Sequence, residues 1–103
     1  MYKVIAVYEV PENQEAFESH YKEVHEPITL KIPKMTEFRV NKVFGSPTGK
    51  SNLYMIAEMC FTDKDSWQEA MKTQEMKEYG KDAMKFAGKL VSVHFAQETV
   101  VKP

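Results

Sequence analysis

The stretch Phe17–Phe38, FESHYKEVHEPITLKIPKMTEF, decides how the rest of the chain is read. It carries two of the three histidines and two of the five prolines. Phe17, Tyr21, Val24 and Ile28 recur at spacings of four, three and four, the mark of one apolar helical stripe. His20 falls three after Phe17 and four before Val24, on that stripe, whereas His25 falls four after Tyr21, on its flank. Pro27 disfavours helical geometry at Glu26, so the helix is expected to end near His25. Pro33 restricts Ile32 in the same way, and the segment between the two prolines forms a stiff elbow. Met35–Phe44 then alternates Thr36, Phe38 and Val40 against Glu37, Arg39 and Asn41, a strand with one apolar and one polar face.

Outward from this stretch the other elements follow. Tyr2–Val10 is a strand stopped by Pro11 and apolar on both parities, as a central strand is. Asn13 or Glu12 opens the first helix. GSPTGKS, residues 45–51, is a hairpin loop. Leu53–Phe61 is the third strand. Asp63 or Thr62 caps a second helical region in which Trp67, Ala70 and Met71 face inward. A break near Thr73–Glu75 separates it from the set Met76, Tyr79, Ala83 and Phe86, which runs to Gly88. Leu90–Glu98 is the last strand. The order strand, helix, strand, strand, helix, strand predicts an α+β, ferredoxin-like fold: a four-stranded antiparallel sheet with helices on one face. Residues 1–103 are expected to form a single domain, with the first and third strands central.

Helices cover only one face of such a sheet. Ile5, Val7, Phe38, Val40, Met55, Met59, Val93 and Phe95 are assigned to the helix side. The opposite face is then expected to carry Val4, Ala6, Tyr8, Arg39, Tyr54, Ile56, Glu58, Ser92 and His94. That second face spans on the order of 400–500 Å² and is too apolar to stay wet in a monomer. Packing two sheets across a two-fold axis covers it, which predicts a homodimeric α/β barrel with Glu58 and His94 paired inside.

The net charge of −1, with both signs interspersed, offers no basic stripe for nucleic acid or anionic lipid. Cys60 is alone, so no intrachain disulfide forms, and a cytoplasmic setting is the expectation. No apolar run reaches membrane-spanning length. Gly45 and Gly49 imitate a phosphate loop, but only three residues separate them and strands flank both sides. No dinucleotide fingerprint is present, and no cofactor is expected. His20 and His25 stand about 140° apart on a regular helix, a poor setting for a metal.

The elbow Tyr21-x-x-x-His25-x-Pro27, the turn Ile32-Pro33-Lys34 and the helix end Phe86-Ala87-Gly88 together resemble the EthD family, over about residues 1 to 98. Lys34 departs from the pattern, which has glycine there; a positive backbone angle at that turn would strain lysine. The resemblance implies a homodimer whose two sheets form a central barrel, and an association with oxidative degradation of small organic compounds. Wider relatives of this barrel include quinol monooxygenases, muconolactone isomerases and polyketide cyclases, several of them cofactor-free.

His25 is the first candidate for chemistry, because an imidazole gives and takes protons near neutral pH. Tyr21, one turn earlier, would orient a ligand oxygen. The alternative is that His25 only caps last-turn carbonyls. His20, Arg39, Tyr8 and His94 are candidate ligand contacts. Against this, His20 reads as a hydrogen-bonded core residue and Arg39 as a partner of Glu37 or Glu58. The reading is a homodimer that binds a small, largely apolar, oxygenated molecule, with cofactor-free acid/base or oxygenation chemistry at His25 if it is an enzyme. The alternatives are a non-catalytic binding or accessory protein serving a separate oxidative enzyme, and a purely structural dimer.

Overall fold

The structure, a computed structural model, describes residues 1–103. The elements are β1 (Tyr2–Glu9), α1 (Gln14–His20), a π-helical turn (Tyr21–His25), α2 (Glu26–Thr29), β2 (Glu37–Lys42), β3 (Leu53–Phe61), α3 (Lys64–Met71), α4 (Gln74–Phe86) and β4 (Val91–Gln97). All strand pairs are antiparallel, in the order β2-β3-β1-β4, so the first and third strands are central, as the ferredoxin-like reading requires.

The expected punctuation is present. The Asn13 side chain accepts from the Ala16 amide and that of Asp63 from the Ser66 amide. Thr73 caps α4 and marks the break between α3 and α4. Lys34 has φ 70°, the left-handed backbone that its departure from glycine put in question.

Two expectations fail. The parity of β1 is the reverse of that assigned. Val4, Ala6 and Tyr8 are buried under the helices, opposite Met59, Ala57 and Met55, while Ile5 and Val7 lie half-buried on the outer face. A register shift at Tyr8/Glu9 makes Tyr54 the extra residue of a bulge. Its hydroxyl donates to Glu18 of α1 at 2.6 Å, so Tyr54 reaches the helix side rather than the outer face. The core falls into two adjoining clusters, one around Tyr8, Phe17, Tyr21 and Met55, the other around Val4, Ile32, Met59, Phe61 and Tyr79. Burying a side chain such as Met55 or Met59 contributes about 1.5–3 kcal/mol.

The second failure is the helix end. The chain continues helically past Pro27 to Thr29. Proline within an α-helix clashes with the carbonyl four residues back and cannot donate to it. The π turn relieves this: the Glu26 amide donates to the Tyr21 carbonyl, five residues back, and Pro27 falls in the first turn of α2, where no donor is needed. The wider turn rotates the buried face by one residue. Val24, assigned to the stripe, is 41 % exposed, and His25, assigned to its flank, is 1 % exposed.

The outer face is less apolar than expected. Lys3, only 5 % exposed, sits between Glu58 Oε1 at 2.7 Å and Glu98 Oε2 at 2.8 Å. Burial works against its charge, but the two carboxylates outweigh it and hold the ammonium above its usual pKa. Asn41 donates to the other Glu58 oxygen at 2.9 Å. Glu58 is thereby engaged by Lys3 and Asn41, and no Glu58–His94 pair forms within the chain; His94 Nε2 lies 3.0 Å from Ser92 Oγ. Ile5, Val7 and Ile56 form the half-buried apolar part of this face.

Candidate functional site

The π turn brings His20 and His25, five residues apart, onto one carboxylate. Nδ1 of His25 lies 2.8 Å from Oδ2 of Asp82. Nε2 of His20 lies 2.9 Å from Oδ1 and 3.1 Å from Oδ2 of the same residue. Asp82 is 8 % exposed and reaches the histidines from α4, where it shares the inward face with Tyr79, Ala83 and Phe86. The Phe86 ring rests against both imidazoles, 4.7 Å from each centroid to centroid.

His25 is packed on every side. Tyr21 lies 5.5 Å from it ring to ring and Tyr79 4.9 Å. The Tyr8 hydroxyl is 3.4 Å from its Nε2, a long hydrogen bond. Burial pushes the His25 pKa below its ordinary value, against the opposing pull of the Asp82 carboxylate, and the nearby His20 lowers it further. The neutral ring therefore donates from Nδ1 to Asp82, since a carboxylate only accepts, and leaves Nε2 as an acceptor for Tyr8. Burial also raises the Tyr8 hydroxyl far above the phenol range, with Tyr79 and Tyr21 adding to the push. Tyr79 itself is raised to about 12, chiefly by burial. The cluster thus pairs a neutral base with neutral phenols, held in a buried aromatic shell.

A groove of about 650 Å³ opens on the other side of Tyr79. Val4, Trp67, Met71, Met76, Met84, Val93 and Phe95 line it, and Tyr79 is nearly its only polar side chain. The Trp67 indole N–H is buried without a hydrogen-bond partner. The lining of the groove suits a largely apolar molecule. Tyr21 has the second orphaned group: its buried hydroxyl has no partner and it lines a separate cavity of about 450 Å³ with Glu18, Lys22, Glu26 and Lys42 at its edge.

The six residues singled out from the sequence divide accordingly. His20, His25, Tyr21 and Tyr8 are brought together. Tyr8 does so from the helix side of the sheet, not from the face assigned to it. Arg39 and His94 lie on the outer face, across the sheet from His25. Arg39 pairs with Glu37 at 3.1 Å, the expected structural use. Asp82 and Tyr79 were not singled out as site residues. An acid on the otherwise apolar stripe Tyr79–Ala83–Phe86 was the available signal for Asp82.

Several solved structures share this architecture. A cofactor-independent oxygenase from Streptomyces nogalater, SnoaB, superposes with a TM-score of 0.64 over 99% of this chain and 94% of its own at 13% identity. A dimeric ferredoxin-like protein from Bacteroides fragilis does so with a TM-score of 0.62 over 94% and 95% at 13% identity. At such identities the likeness is of fold. An uncharacterised 11.0 kDa protein from the thcB–thcC intergenic region of Rhodococcus erythropolis is 29% identical over the full length of both chains. The crystal structure of an ethyl tert-butyl ether D (EthD) family protein from Bacillus halodurans is 47% identical, covers 96% of this chain and 99% of its own, and superposes with a TM-score of 0.92. The EthD domain model matches residues 11–90, and the chain belongs to the EthD family.

Proposed function

We propose that the protein is a homodimer that binds a small, largely apolar, oxygenated molecule in the groove beside Tyr79, with His25 serving as the buried proton acceptor behind it. The observation that carries this reading is the apolar groove itself, with the Tyr79 ring standing between it and His25. An oxygen on the ligand would face the Tyr79 side of the groove. His25 touches Tyr79 and Tyr8 rather than the groove, so any proton it takes passes through a phenol. SnoaB, of the same fold, is a cofactor-independent oxygenase, which supports chemistry of that kind without a bound cofactor.

Dimerisation is supported by the half-buried Ile5, Val7 and Ile56 on the outer face and by the dimeric state of proteins with this fold. A second reading, a binding protein without chemistry, is favoured by one feature: both ring nitrogens of His25 already have protein partners.

Trp67 is the sole tryptophan, so its indole N–H gives a single resonance in a ¹⁵N-labelled sample. Because Trp67 lines the groove, titration with acetophenone should move that resonance in a saturable way. An indole resonance unmoved by acetophenone would overturn the groove as the binding site.

A further inference from the structure

The histidine–aspartate cluster has a feature that ligand binding does not require. Asp82 touches two imidazoles, and the second one is in contact with water. His25 is 1 % exposed, while the His20 side chain is 28 % exposed and lines a surface cleft of about 410 Å³ with Pro11, Asn13, Phe17, Phe86 and Leu90. The π turn places a second, partly exposed ring on Asp82, and both rings rest against Phe86. The groups that face His25 are Tyr8 from β1, Tyr21 from its own segment, and Tyr79 and Asp82 from α4. Of these only Asp82 leads outward through a short hydrogen bond.

We infer that Asp82 and His20 form a proton relay connecting buried His25 to solvent, so that the interior site can reload without opening. This rests on the reading that His25 handles protons for the groove. The passage balances without electrons moving. A proton taken up at His25 Nε2 makes an imidazolium, which gives its Nδ1 proton to the Asp82 carboxylate. His20, which donates to Asp82 from Nε2 at rest, first moves its proton to Nδ1 by exchange with the water of its cleft; the neutral carboxyl then passes its proton to the freed Nε2, and His20 releases the Nδ1 proton to water. One proton enters at His25 Nε2 and one leaves at His20 Nδ1, which returns His20 to its resting tautomer; the reverse passage restores that of His25. Tyr8 and His25 are the inner end, and Asp82 and His20 are positioning and relay residues that a groove ligand never touches.

The test follows the exchange of the His25 Nδ1 proton with water by ¹⁵N NMR on the intact, ligand-free chain. A buried N–H that escapes only by opening exchanges slowly. With the relay, His20→Gln, which keeps a donor to Asp82 but cannot titrate, slows exchange by about tenfold or more at unchanged backbone protection. His20→Gly slows it likewise, and imidazole added to the buffer restores the rate. In the wild type the rate is insensitive to sub-denaturing urea, a measurement that stands even if the variants fail to fold. Equal rates in wild type and His20→Gln, or a wild-type rate that climbs with urea, would overturn the relay. No ligand is present, so a failed acetophenone titration and a failed relay are separate results.

Discussion

Nδ1 of His25 and the Asp82 carboxylate meet at 2.8 Å, and that contact joins the π turn to α4. His25 is the more deeply buried of the two, and Asp82 accepts from His20 as well, so the carboxylate organises both rings.

Replacing Asp82 should therefore cost stability out of proportion to its size. Asp82→Ala leaves two imidazole nitrogens without partners, one of them buried, a loss of about 1–3 kcal/mol. Asp82→Asn, which keeps an acceptor oxygen for His25, should lose less. Urea denaturation midpoints measure both, and an Asp82→Ala protein as stable as wild type would contradict the assignment.

The pH dependence has a definite sign. His25 has a folded pKa below its ordinary 6.5, so the unfolded chain binds the proton more readily. Its contribution to stability is fully present above pH 6.5 and is lost as the pH falls from there through the depressed folded value. His25→Gln should flatten that part of the stability–pH curve, measured by urea titrations across the window. A wild-type curve that rises on acidification there would have the wrong sign for a buried neutral imidazole.

Lys34 holds φ 70° without being glycine. The left-handed region costs a side-chain residue about 1–2 kcal/mol, of which the added backbone freedom of glycine takes back part. Lys34→Gly should gain on the order of 0.5–1 kcal/mol. The contact it removes, Lys34 to Glu69 at 3.6 Å, joins two exposed side chains and has little bearing on the outcome. A thermal midpoint lower than wild type would show that the turn tolerates lysine without strain.

Val7 lies on the outer face of the central strand β1, between Ile56 and Ser92. If that face packs against a second copy, Val7→Lys should convert a dimer into a folded monomer, read by equilibrium sedimentation at micromolar concentration with circular dichroism as the fold control. A wild-type protein that sediments as a monomer would remove the barrel from consideration.

Most of the architecture could be read from local pattern. Element order, the Asn13 and Asp63 caps and the break at Thr73 all follow from side chains acting on their own backbone, while the strained turn at Lys34 was marked only by the family resemblance. The parity of β1 could not be read from apolar alternation, because a strand apolar on both sides gives no sign. Lys3, on the parity of Ile5 and Val7, was the charge inside the strand that marked the outer face, with Glu9 at its end, and its meaning depended on Glu58 and Glu98, far away in the chain.

The helix through Pro27 shows the same division. The sequence by itself determined that proline is incompatible with a regular α-helix there, since its ring and missing N–H act within one turn. Whether the helix stops or widens depends on what surrounds it. Here the buried Tyr21 and His25, packed against Tyr8, Tyr79 and Phe86, occupy the widened turn, and Asp82 accepts from the ring so exposed. A regular 3.6-residue period separates His20 from His25; the π turn, formed within tertiary packing, brings both to one carboxylate. The ferredoxin-like fold was thus legible from spacing along the chain, and the site was decided by contacts between residues as distant as His25 and Asp82, which no periodicity encodes.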